Sequence, residues 1–301
     1  GNLADVFVVP GANPALPLME KVREHRQQNA QDIANHSACP ANTHTSLYVS
    51  DIQAKHLRRA LWGGLKNGML EQADSTFLIP LYWKHQEADS IVEKATLLTV
   101  TDYQTVIGQL PKTYNFYNNN LPILTASILS PLAAAGNTYY HYYLVDSTYV
   151  DNEKHYLLHF RSKNSFYATF NGEMTIDSAT YALRSISVTL PEHNPINYLR
   201  QLTIKQTYRK DNNIEDEKLS MLLDFAIKSD TSHIFPTLLL QRANWINNEQ
   251  PIQNITHITP TKPIPTETST IAALDSLNNT PLFKTAKFLA YMLQTGCVPT
   301  T

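Results

Sequence analysis

Two hydrophobic periods divide the chain. Near its start, Leu16, Met19 and Val22 recur at helical spacing beside a charged face of Glu20, Lys21, Arg23, Glu24 and Arg26. That predicts a helix from 13 to 29, with Asn13 as N-cap and Pro14 at the first helical position. A loop is expected from His36 to Ser46. Asp51 then caps a second helix to about Gln72, whose apolar stripe is Ile52, Leu57, Ala60, Leu61 and Leu65. Gly63, Gly64 and Gly68 each weaken it by about 1 kcal/mol relative to Ala, so a kink is expected there.

After Ser75 the period changes. Thr76–Trp83 reads as a strand whose Pro80 marks an edge or a bulge. Leu97–Tyr103 is a partial strand or the entry to a helix. Lys112–Pro122 is aromatic and Asn-rich and reads as a loop, and Pro122–Leu132 as a short helix. From Thr138 to Ile258 alternation dominates. Strands are expected at Tyr139–Tyr149, His155–Arg161, Phe166–Ile176, Tyr181–Leu190, Tyr198–Arg209, Leu219–Lys228 and Leu238–Asn247, with a weaker one at Ile252–Ile258. Asp151-Asn152 and Asp177–Thr180 are turns, and Lys210 to Lys218 is a polar run. Short polar turns between successive strands predict antiparallel pairing. Ile186, Val188 and Leu190 against Ser187 and Thr189 predict one buried and one wetter face. Leu202, Ile204 and Gln206 against Thr203, Lys205 and Thr207 repeat that pattern.

Pro260–Pro265 is a Thr/Pro linker, followed by helix in two pieces from Thr268 to Thr295. The expected fold class is α+β, a large antiparallel sheet with helices packed on one side. Its expected organisation is a helical N-terminal segment (1–75), an antiparallel β domain (76–260) and a linker with C-terminal helices (261–301), in one compact unit. Gly1 without an initiator Met, and the abrupt Gly296–Thr301 tail, predict a segment of a longer protein with a domain on each side.

Composition narrows the partners. Lys and Arg total 24 against 26 Asp and Glu in 301 residues, and 43% of residues are hydrophobic, which excludes a disordered chain. Near-neutral charge argues against nucleic acid, since phosphate binding needs clustered cations. Nine glycines leave little for phosphate-cradling loops. Cys39 and Cys297 form one pair, from which no bridge can be inferred.

Candidate chemistry is sparse. His36, Cys39 and His44 offer three zinc donors in one loop, but a structural zinc wants four. His155 and His159 lie ~13 Å apart on an extended strand, too far for one ion. A turn centred on Asp151-Asn152 points His141 to the opposite face. Gly-x-Ser-x-Gly, Ser-x-x-Lys and His-Glu-x-x-His are all missing, so no catalytic residue is assigned and the chain is not expected to be an enzyme. Asp224 and Asp230 have no spacing that separates them from surface charge. No cofactor or metal is expected. The aromatic strands offer a candidate ligand groove of Tyr140, Tyr142, Tyr156, Phe160 and Tyr167, set against ordinary cross-strand packing. Gly172, interrupting a β-rich run, predicts a bulge or a close backbone approach.

Several segments together resemble a domain family of unknown function from Bacteroidota. They are Ala12-Asn13-Pro14-Ala15 with Val22–Arg26 and Asn29, Ser130-Pro131-Leu132, and Tyr139–Ser147. Tyr156–Lys163, Phe170–Asp177 with Thr180–Leu183, Asn194–Asn197, and Gln206-Thr207-Tyr208 complete the set. Ser162 stands where that family usually has Pro, and Pro195 interrupts another of its motifs. Members typically carry a carboxypeptidase-regulatory-like domain before this region and an outer-membrane β-barrel after it. The resemblance therefore implies a position on the periplasmic side of the outer membrane, with the barrel as partner. It brings no catalytic residues. The Gly172–Asp177 hairpin also resembles hairpins of the half-barrel lipoprotein-carrier fold, which implies a curved, half-barrel-like sheet. Two functions follow as expectations. One is a non-catalytic module that binds a partner or gates the barrel. The other is lipid or lipoprotein binding in a concave apolar sheet face, a reading that would fail if the protein's own helices, helix 282–294 first among them, filled that face.

Overall fold

The computed structural model describes residues 13–30, 42–50, 79–87, 90–95, 99–150, 152–196, 198–224 and 237–246. Its strands are β1 (Asn42–Ser50), β2 (Ile79–Glu87), β3 (Ser90–Ala95), β4 (Asn120–Ile123), β5 (Ala126–Leu129), β6 (Tyr140–Val150), β7 (Glu153–Ser162), β8 (Asn171–Asp177), β9 (Leu183–Thr189), β10 (Leu199–Tyr208), β11 (Ile214–Asp224) and β12 (Thr237–Trp245). Its helices are α1 (Ala15–Glu24), α2 (Val100–Ile107) and the single turn α3 (Gly136–Tyr139).

Ten strands form one antiparallel sheet in the order β3-β2-β1-β12-β11-β10-β9-β8-β7-β6, and β4-β5 is a separate hairpin. From β6 to β12 the chain meanders, each strand pairing with the next in sequence. Among the described residues the sheet is open, with β3 and β6 as its two edges. Among the described residues strand far outweighs helix, so the architecture is mostly antiparallel sheet rather than a balanced α+β.

One face of the sheet carries the core. Tyr140, Tyr142, Leu158, Phe160, Met174, Ile186, Val188, Leu202, Ile204, Leu219, Met221 and Leu240 point inward from successive strands. They pack against α1 and the stretch from Leu110 to Ala133. α1 forms where the helical period predicted it. Asn13 does two jobs there: its Oδ1 accepts the Ala15 N–H at 3.0 Å, and its Nδ2 donates to the Tyr142 carbonyl at 2.8 Å.

Several expectations are corrected. Asn42–Ser50 is a strand between β2 and β12, not the end of a loop, so the sheet draws on the N-terminal segment expected to be helical. Its polar residues Thr43 and Thr45 hid the alternation with Leu47. Pro122–Leu132 is not a helix but the end of the β4-β5 hairpin, closed at Leu124 in the left-handed region (φ 54°). Phe166–Phe170 is loop, and β8 begins at Asn171. Strand β11 begins at Ile214, inside the polar run. Pro80 is accommodated by a bulge, as expected: β2 places Leu81 between the partners of Leu47 and Tyr48. The helix expected at 51–72, the strand at 252–258, the linker, the C-terminal helices, Cys39 and Cys297 lie outside the described residues.

Gly172 is a close approach. A Cβ there would sit 2.0 Å from the Ser187 carbonyl oxygen and 3.0 Å from Phe160. The β8-β9 bulge itself falls at Thr175/Ile176.

Candidate functional site

The aromatic residues singled out in the sequence divide between core and surface. Tyr140, Tyr142 and Phe160 are fully buried on the inner face. Tyr140 donates to the Leu129 carbonyl and accepts the Phe170 N–H. Tyr142 donates to the Pro131 carbonyl at 2.6 Å and accepts from Arg23 Nη2 at 3.3 Å. Burial pushes the Tyr142 hydroxyl up to about 12, although Arg23 opposes the shift. Phe160 packs edge-on against Tyr140. Tyr140 and Tyr142 are thus fastened to the protein's own 129–131 segment, and Phe160 lies behind Tyr140 in the same core. Tyr156 is half-buried, and Tyr167 is exposed on the 163–170 loop against Tyr139.

The family-like motifs serve the same packing. Arg23 Nε donates to the Ala133 carbonyl and Arg26 Nε to the Tyr117 carbonyl. Asn29 reaches the Thr180 carbonyl at 3.4 Å. Ser130 Oγ donates to the Phe116 carbonyl, and the Tyr117 hydroxyl accepts the Leu183 N–H at 2.8 Å. Each of these bonds fastens one segment to another.

A second cluster was not singled out in the sequence. Glu217 on β11 has no solvent exposure and is charge-paired with Arg242 on β12 at 3.0 Å. Its Oε1 also accepts from Asn244 Nδ2 at 3.1 Å, and its Oε2 from the Tyr114 N–H at 2.8 Å and from Gln206 Nε2. Gln206 Nε2 also donates to the Tyr114 carbonyl, Arg242 Nη1 to that of Pro111, and Asn244 Nδ2 to that of Lys112. The network ties the 111–114 loop to three strands. Its signal was phase: Glu217 lies two residues before Leu219 and four before Met221, on the buried face of β11. Gln206, Arg242 and Asn244 are in phase with Ile204 and Leu240 in the same way.

The histidines separate. His36 lies outside the described residues. His44 packs among Trp83 and His85, where burial lowers its pKa and His85 adds to the shift. His159 faces Glu173 at 3.4 Å in the open. His141 shares the face of His159, contrary to expectation, because a bulge between Leu144 and Asp146 shifts the β6-β7 register by one. His155 is buried beside Asp177 at 3.8 Å.

Asp177 closes the turn after β8. Its Oδ1 accepts from the Ala179 N–H, the Thr180 N–H and the Thr180 hydroxyl, and its Oδ2 faces Arg184 at 3.3 Å. Burial alone would raise this carboxyl. The hydrogen bonds and Arg184 outweigh it and hold the group below the ordinary carboxylate range.

One of the two sheet edges, β6, presents a long exposed strand. β6 runs 11 residues, and from Val145 onward every residue is exposed. Tyr143, Val145, Tyr149 and Val150 present apolar surface there, with Tyr149 71% exposed. Among the described residues no strand pairs with its outer side, and Asn13 occupies only the Tyr142 carbonyl. Phe166, 82% exposed, and Tyr167 stand on the loop that leaves β7. Long apolar edge strands are templates for further strand pairing.

An open antiparallel meander packed on one face defines the class. Within it, residues 91–231 match the DUF5686 family, a family of unknown function. The resemblance read from the motifs therefore holds over that stretch, which includes those from Ser130 to Tyr208 and excludes the Ala12–Asn29 segment. No curated protein matches the chain. A LolA superfamily protein of known crystal structure from Nitrosomonas europaea aligns over 79% of this chain and 95% of its own, at 10% identity and a TM-score of 0.27. A score that low carries no argument about fold or function.

Proposed function

We propose that this chain is a non-catalytic binding module that takes a partner strand along β6. It would work on the periplasmic side of the outer membrane as part of a β-barrel protein, the setting that the family resemblance implies. The observation that carries the reading is the exposed apolar edge from Tyr143 to Val150. An added strand would satisfy the outward backbone groups and cover Val145, Tyr149 and Val150. The polar clusters point the same way. Glu217 is saturated by four donors, and Asp177 Oδ1 by three. Neither carboxylate resembles a general base awaiting a substrate proton.

In this reading the sheet curves half-barrel-like around α1 and the 110–133 segment. The alternative, lipid held in a concave apolar face, has less support, because Tyr140, Tyr142 and Phe160 are already buried against that segment.

A photo-crosslinking amino acid at Tyr149, in the cells that make the protein, tests the proposal. The expected product joins Tyr149 to an outer-membrane β-barrel, or to a barrel region of the same polypeptide. The same probe at Lys205, on the solvent face of β10, should give none. Equal crosslinking at the two positions, or none at Tyr149, would overturn it.

A further inference from the structure

The geometry points to a divalent-cation site at the outer rim of the sheet, formed by Glu153, His155 and Asp177. Glu153 opens β7, and His155 follows two residues later on the same face. Asp177 closes β8 and is the direct register partner of His155. One ligand atom from each residue lies within 4.8 Å of the other two. His155 Nε2 and Asp177 Oδ2 are 3.8 Å apart. Donors sharing one ion at bond lengths of ~2.0–2.2 Å stand about 3–3.5 Å apart, so a small closure of these side chains completes the fit.

The independent observation is His155. It is 8% exposed, and its Nε2 has no hydrogen-bond partner among the described residues. A buried imidazole nitrogen left unpartnered beside two carboxylates has the chemistry of a ligand. One nitrogen and two oxygens form a mixed donor set. It suits a borderline first-row cation such as Zn2+ better than Ca2+ or Mg2+, which prefer oxygen alone.

Two cations already face the carboxylates, and they act differently. Arg184 Nη2 holds Asp177 Oδ2 at 3.3 Å, while its Nη1 is anchored by the Arg209 carbonyl at 2.9 Å and Asn212 Oδ1 at 3.0 Å. That arrangement orients a ligating carboxylate and leaves His155 its approach. Lys210 Nζ sits 2.8 Å from Glu153 Oε1 with two-thirds of its side chain in solvent. It is a competitor that an incoming ion displaces at little cost. The bound ion would cross-link the β6-β7 turn to the β8-β9 turn.

Zn2+ titration of the full chain by calorimetry, with Co2+ absorbance as a second probe, is the test. One equivalent should bind. Glu153→Gln and His155→Ala should each weaken binding by about tenfold or more, since each removes a ligand. Lys210→Ala should tighten it severalfold, a direction that general loss of structure does not produce. His159→Ala should leave it unchanged. Asp177→Asn is avoided because Asp177 also holds its turn. Thermal melting should rise with Zn2+ in the parent chain and not in His155→Ala. No stoichiometric binding, equal affinity in His155→Ala, or weaker binding in Lys210→Ala would overturn the site.

Discussion

The two ends of the inner sheet face solve one problem with opposite chemistry. Both must fix the 110–133 segment against the strands. At the β6–β9 end the contact is aromatic and apolar, from Tyr140, Tyr142, Phe160, Phe170 and Phe116, with hydroxyls spent on backbone carbonyls. At the β10–β12 end a buried ion pair, Glu217–Arg242, collects the backbone of 111–114. The first end tolerates its neighbours by shape. The second depends on a charge that has no other outlet, so removing one partner strands the other.

The largest expected effect follows from that difference. Glu217→Ala leaves Arg242 buried without a counter-ion and should cost about 3–5 kcal/mol in urea unfolding. Replacing the pair together, Glu217→Leu with Arg242→Met, should recover only part of that loss. The Tyr114 N–H would still lack its acceptor, and Gln206 and Asn244 would each keep only a backbone carbonyl, at about 1–3 kcal/mol for each group left unsatisfied. Full recovery would show that the pair, and not the network, holds the loop. A cost below about 1 kcal/mol for Glu217→Ala would erase the contrast between the two ends.

At the aromatic end, Gly172→Val drives a side chain toward the Ser187 carbonyl and Phe160. Overpacking of this kind costs about 1–3 kcal/mol, occasionally more, so the melting temperature should fall clearly. An unchanged melting temperature would mean that β8 and β9 separate there without penalty.

A smaller effect sharpens the comparison through pH. Tyr142 has its hydroxyl raised to about 12 by burial, against about 10 in an unfolded chain. Between those values the unfolded state has lost a proton that the folded state keeps. The stabilisation is therefore whole below pH 10 and drains as pH rises through 12. Tyr142→Phe should flatten the alkaline decline of unfolding free energy by about 1.4 kcal/mol per pH unit in that window. The variant should also lose about 1 kcal/mol at neutral pH, from the bond to the Pro131 carbonyl.

The smallest effect is expected at the edge. Val145→Lys changes an exposed residue on β6 and should shift stability by less than about 0.5 kcal/mol. It should nevertheless abolish crosslinking from Tyr149. That separation of binding from stability distinguishes an interaction edge from a structural one.

Much of the meander was legible in sequence because its turns carry their own chemistry. Asn152 adopts φ 68° between β6 and β7, and Asp177 caps its turn through its own side chain. Alternation at Ile186–Thr189 and Leu202–Thr207 gave the buried face correctly. Legibility failed where polar residues occupy inward positions. Thr43 and Thr45 concealed β1, and Glu217 was lost in the polar run from Lys210 to Lys218 because its partner Arg242 is 25 residues away. The bulge in β6 also escaped notice. It falls at Val145 and reversed the face expected for His141, since no residue marks it as Pro80 marks the one in β2. The ligand-groove set mixed core with surface for a related reason. Tyr serves both settings, and only its hydroxyl partner tells them apart.

Hydrogen exchange, measured on the purified chain and on the same protein in isolated outer membranes, tests the central claim most directly. The account predicts that those amides of 144–150 that point away from β7 exchange rapidly in the purified chain and become protected in the membrane. Amides of β10, interior to the sheet, should be protected equally in both. Rapid exchange of the same outward-pointing amides in both samples would contradict a strand partner at β6.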